Sequence, residues 1–82
     1  MHTIFLTPGD YATARELHEA LKKLLSLPDH YGCNADALHD CLSERRETIH
    51  LIVSGPGSDE VETALRRCAA VIRDLGGQVR GL

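Results

Sequence analysis

The sequence has no tryptophan, one phenylalanine and two tyrosines. A core built from it must rest on Leu, Ile, Val and Ala rather than on large aromatic anchors. Cysteine is sparse and odd in number: the three residues Cys33, Cys41 and Cys68 fit neither a disulfide framework nor a paired-CxxC zinc site, so reduced thiols are expected. No apolar run approaches the roughly 20 residues of a membrane span. The N-terminus also lacks the charged region, apolar stretch and small-residue cleavage site of a secretory signal, so a cytoplasmic protein with no membrane association is expected. Basic residues are in deficit as well, with nine Lys and Arg against twelve Asp and Glu and a formal charge of −3. Phosphate neutralisation needs clustered cations, which disfavours a nucleic-acid ligand and favours a basic protein partner.

The 82 residues are enough for one modest core, and a single domain over residues 1–82 is expected. "HTIFLT", His2 to Thr7, is β-branched and aromatic and runs into the turn signal "PGD", which reads as a first strand. From about Thr13 to Leu25, the apolar residues Leu17, Leu21, Leu24 and Leu25 recur at helical spacing among charged residues. Pro28 and Gly32 break this helix. Asn34 then offers an N-cap for a second helix ending near Ser43 or Glu44. "TIHLIVS", Thr48 to Ser54, is nearly continuous in apolar and β-branched residues, the pattern of a strand covered on both faces. Ser58 or Asp59 caps a long helix with a stripe of Val61, Leu65, Cys68, Ala69, Ile72 and Leu75, stopped by Gly76 and Gly77. "QVRGL" leaves room for a brief edge strand. The order implies an α/β fold, a small three-stranded parallel sheet packed with three main helices through right-handed crossovers.

The second helix carries an unusual charge pattern. At about 100° per residue, Ala35, Leu38, Cys41 and Leu42 gather on one side while Asp36, His39, Asp40, Ser43 and Glu44 lie around the other. Asp36, in the first turn, gains about 0.3 to 1 kcal/mol from the helix dipole. Asp40 and Glu44 have no such support, because like charges at i and i+4 cost roughly 0.2 to 0.5 kcal/mol per pair and no Lys or Arg stands at i+4. An ordinary solvated face would tolerate this cost. A surface awaiting an external cation would explain it.

"LPDHYGCNADALHDCLSE", Leu27 to Glu44, resembles the barstar family of intracellular ribonuclease inhibitors, whose members carry Leu-Pro-x-(x)-Tyr-Gly-x-Asn-x-Asp-Ala-Leu-x-Asp here. Leu27, Pro28, Tyr31, Gly32, Asn34, Asp36, Ala37, Leu38, Asp40 and Leu42 fall in place without a gap. Beyond this segment the likeness rests on length, on "LHEALKKLLSLP" and on the order of elements. The resemblance implies a cofactor-free, monomeric bacterial protein that binds a basic secreted ribonuclease one to one. Its second helix and preceding loop would plug the catalytic cleft. By resemblance, Asp40 occupies a substrate phosphate site, Asp36 is a second acidic contact, and His30 and His39 stand where members have aromatic contacts. Gly32, Asn34, Ser43 and Glu44 complete the expected partner-binding set, Glu44 on geometry alone. Departures from the family pattern are Arg45 where a tryptophan is often found, Val71 where another acidic contact belongs, and a shortened link after the second strand.

Competing readings are weaker. His30, Cys33, Asp36, His39 and Asp40 include metal-ligand types but follow no zinc spacing, so no metal is expected. His39 and Asp40 lack a serine or cysteine placed as nucleophile, so an enzyme is not expected. "SGPGSDE" lacks the P-loop lysine and carries carboxylates that repel phosphate, which leaves a turn. Cys41 and Cys68 lie in apolar stripes and are expected in the core; His50 is expected to be satisfied or edge-facing. An immunity or antitoxin-type protein directed at a different basic toxin uses the same surface and stays open at this point.

Overall fold

The computed structural model describes residues 2–82. Strand β1 (His2–Leu6) leads through a 3-10 turn at Pro8–Asp10 into helix α1 (Ala14–Leu24), helix α2 (Ala35–Arg45), strand β2 (Ile49–Val53), helix α3 (Asp59–Asp74) and strand β3 (Gln78–Arg80). The three strands form one sheet in the order β1-β2-β3. Both pairings are parallel, with Ile4 opposite Leu51 and Leu51 opposite Val79. The expected α/β arrangement of three helices on a three-stranded parallel sheet is therefore the observed one.

Each helix begins where a side chain can take up a free backbone N–H. Thr13 Oγ1 accepts from the Glu16 amide at 3.2 Å. Asn34 Oδ1 accepts from Ala37 at 2.8 Å, and Ser58 Oγ from Val61 at 3.3 Å. Gly77 is fixed by close approach rather than by its dihedral, since a Cβ there would come within 2.3 Å of the Ile49 carbonyl oxygen. That contact turns the chain from α3 into β3 against the start of β2.

The core comprises Leu17, Leu21, Leu25, Leu38, Leu42, Ile49, Leu51, Leu65 and Ile72, all at most 2 % exposed, together with their neighbours. Two helical residues depart from expectation. Leu24 is 40 % exposed while His18 is only 4 % exposed, because the stripe of α1 is centred on positions 18, 21 and 25 as much as on 17 and 24.

Strand β2 is not covered on both faces as its apolar run implied. Ile49, Leu51 and Val53 are buried, whereas His50 and Ile52 are only partly so. The reason is topological. Strand order follows chain order without reversal, so crossovers of one hand deliver every helix to the same side. The other face displays Thr3, Phe5, His50, Ile52, Gln78 and Arg80 in register. Phe5 is 67 % exposed there. His50 is also corrected: it stands on the central strand, and its Nε2 is buried without a hydrogen-bond partner among the described residues.

Candidate functional site

Helix α2 is seated on the core by Leu38 and Leu42, 0 % and 2 % exposed. Burying two leucines contributes roughly 3 to 6 kcal/mol of transfer free energy, far above the few tenths lost to like-charge pairs on the outer face. Cys41 is a correction to the sequence expectation. It packs only partly buried at the margin of the core, while Cys68 is fully buried.

The loop before α2 is tied down at successive points. The Leu27 amide donates to the Lys22 carbonyl at 2.8 Å, and Lys22 Nζ approaches the Asp29 carboxylate at 3.8 Å. Leu27 and Tyr31 turn inward, each 6 % exposed. The Tyr31 hydroxyl lies 2.7 Å from Nδ1 of His18 and 3.4 Å from the Asn34 carbonyl oxygen, linking α1 to the start of α2. On its far side, His18 Nε2 meets Cys68 Sγ of α3 at 4.0 Å. Burial lowers the His18 pKa below the ordinary 6.5. The same desolvation drives Tyr31 far upward, with lesser contributions from Cys68, Cys33 and Cys41, and pushes the Cys68 thiol up to about 12. All three groups are neutral near pH 7, as buried groups without a counter-charge should be.

Arg45, where the resemblance places a tryptophan, has a structural task here. Its guanidinium donates to the carbonyl oxygens of Leu25 and Ser26 at the end of α1. Ser26 sits in the left-handed region at φ 51°, where the helix has ended and its last carbonyls lack helical partners. Arg45 satisfies them and closes the base of the loop, joining the last turn of α2 to the last turn of α1.

The expected site residues all lie at the surface. His30, Gly32, Asn34, Asp36, His39, Asp40, Ser43 and Glu44 are exposed. They form two groups around α2. His30, Gly32, Asp40 and Glu44 border an open hollow of about 440 Å³ together with Cys41 and Arg45. Asn34 and Asp36 border a second hollow of about 320 Å³ with His18, Cys33 and Arg67 of α3. His39 and Ser43 line neither. The Ser43 hydroxyl donates to the Asp40 carbonyl at 3.1 Å, so it is turned back onto its own helix.

Among the described residues the ion pairs are His2–Glu47, Arg15–Glu19 and Lys22–Asp29. Asp36, Asp40 and Glu44 take part in none of them. Chemically, the arrangement is a row of unpaired acceptors on a helix whose other face is fixed, suited to receiving guanidinium, ammonium or imidazolium donors. Among the described residues, no three His, Cys, Asp or Glu side chains converge as a metal site, and no helix is long and apolar enough to cross a membrane.

The parallel three-stranded sheet with three helices and the anchored loop-and-helix segment define a small α/β domain. The chain belongs to the barstar (barnase inhibitor) family, whose model matches residues 1–80. It is also similar to a Bacillus subtilis (strain 168) protein named "Putative ribonuclease inhibitor YrdF", at 44 % identity over 43 residues. That match covers 52 % of this chain and 47 % of the relative, so it spans about half the length of each. No solved structure matches the chain significantly.

Sequence reasoning noted Arg45 but missed its structural role, and it missed Arg67 and His18. His18 was within reach, since it lies three and seven residues before Leu21 and Leu25, on the buried stripe. Arg45 acts through a contact with a helix distant in sequence and Arg67 borders a recess formed by several elements, which no local pattern reports.

Proposed function

We propose that this protein inhibits a basic ribonuclease by seating α2 and the Leu27–Asn34 loop in its catalytic cleft. The carrying observation is that Asp36, Asp40 and Glu44 stand exposed outside every ion pair found among the described residues, on a helix fixed from behind, in a member of the barstar family. A ribonuclease lines its cleft with Arg, Lys and His to hold a polyanion. A carboxylate on a rigid helix satisfies those donors and offers no bond to cleave. Asp40 takes the phosphate position, Asp36 is the second acidic contact, and Glu44 extends the row. His30 and Gly32 contact the rim from the loop, Asn34 holds the start of the helix, and His39 and Ser43 meet the partner along the outer face. The complex is one to one, formed by a bacterial cytoplasmic monomer without cofactor. The inhibitor contributes no catalytic chemistry of its own.

His30 and His39, exposed at positions where the family resemblance implies aromatic contacts, favour a second reading of the same surface: an immunity or antitoxin-type protein for a basic toxin other than a close relative of known ribonucleases. An RNA-cleavage assay separates the two. The basic ribonuclease encoded in the same genome is titrated with this protein. Activity should fall linearly to zero at one equivalent. Undiminished cleavage at excess protein would reject that ribonuclease as the target and leave the toxin reading.

A further inference from the structure

The α2 face is wholly acidic in its row of carboxylates, but the neighbouring helix is not. Helix α3 keeps Asp59, Glu60 and Glu62 in its first turn. Its middle carries Arg66 and Arg67, both exposed. Arg66 follows Glu62 by four residues, the spacing of a helical ion pair. Arg67 has no such partner, since positions three and four away on either side are Thr63, Ala64, Ala70 and Val71. It belongs to none of the ion pairs found among the described residues. Yet it borders the same open hollow as Asp36, about 320 Å³ in volume, so one recess is lined by both a carboxylate and a guanidinium that join no ion pair among the described residues.

A purely cationic surface closing over that recess would satisfy Asp36 and repel Arg67, and like-charge juxtaposition in a desolvated interface is strongly unfavourable. We infer that Arg67 is a specificity-determining residue and that the partner carries a carboxylate at the rim of its basic cleft, opposite Arg67. This rests on the inhibitory reading above and adds a requirement to it. Partners with a basic cleft but no acidic rim group at that place are discriminated against, which is how charge patterns select among related surfaces. The alternative arrangement, in which Arg67 swings onto Asp36 and neutralises it, predicts the opposite response to mutation.

The test uses the full chain and a catalytically silenced form of the basic ribonuclease from the same genome, with association and dissociation rates measured by stopped-flow fluorescence. Removing a positive charge from an acidic protein leaves steering intact or improves it, so association should not slow. Loss of a direct ion pair appears in dissociation. Arg67→Gln should raise the dissociation rate roughly fivefold, as for an exposed to partly buried pair, and Arg67→Glu should raise it further. Reversing the facing partner carboxylate to lysine should restore slow dissociation with Arg67→Glu. Unchanged or slower dissociation in Arg67→Gln overturns the inference, and faster association with tighter binding identifies the self-neutralising arrangement instead. Asp40→Ala serves as the control. If it weakens binding while Arg67→Gln does not, the inhibitory reading stands and only the role of Arg67 falls. If the unmodified protein does not bind the ribonuclease, both fall together.

Discussion

The outer face of α2 and the open face of the sheet are both surfaces that an isolated fold could improve, and they differ in what holds them. The sheet face displays Phe5, 67 % exposed, beside the partly buried Ile52. Its exposure follows from strand order and needs no partner to explain it. The α2 face is costly for local reasons, since Asp40 and Glu44 each follow a carboxylate by four residues without a neighbouring cation. It is also backed by a fixed helix and a loop anchored through Leu27, Tyr31 and Arg45. An exposed apolar residue on a flat face is common. A rigidly mounted row of unpaired like charges is the more informative feature.

The largest expected effect lies beneath α2. Leu38→Ala removes a fully buried side chain and should lower unfolding free energy by about 2 to 5 kcal/mol in denaturant titration. A loss below about 1 kcal/mol would mean that α2 is not mounted on the core as described, and the contrast with the sheet face would dissolve.

Acid should expose the next weakness. Burial lowers the His18 pKa below 6.5, so the fold prefers the neutral ring. As pH falls below 6.5 the unfolded chain takes up a proton that the folded chain resists. Stability then declines, with a slope from this group of at most about 1.4 kcal/mol per pH unit, until the lowered folded value is passed. Urea titrations between pH 7.5 and 5, spanning the 6.5 reference value, should show a shallower decline for His18→Gln than for the unmodified protein. Parallel curves would remove His18 as the source.

On the other surface, Phe5→Thr should change stability by only about 0.5 kcal/mol, as for substitutions at exposed positions without special partners. Partner affinity should stay the same. A marked loss of binding would make the sheet face part of the interface and reverse the comparison.

Much of this was legible in the chain. Helical periodicity and capping residues located α1, α2 and α3, because amphipathic spacing and N-caps act within a few residues. The outward phase of Asp36, Asp40 and Glu44 came from the same arithmetic. The bare sheet face was not legible, since the apolar run Ile49–Val53 reads alike whether one face or both are covered, and strand order decides between them. His50 was misread for the same reason. The bond from Arg45 to Leu25 and Ser26 spans 20 and 19 residues, and the recess shared by Asp36 and Arg67 forms only when α2 packs on α3. Both are tertiary facts that local pattern does not encode.

The central claim is that α2 is half of an interface and that Asp40 is its principal contact. Isothermal titration calorimetry of the unmodified protein and of Asp40→Ala, each into the silenced ribonuclease, tests it most directly. The predicted result is a loss of roughly 2 to 5 kcal/mol in binding free energy, a range that already draws on complexes of this family, with thermal stability kept or slightly raised because Asp40 is exposed and its like-charge pairs with Asp36 and Glu44 are relieved. Equal affinities for the two proteins would contradict it.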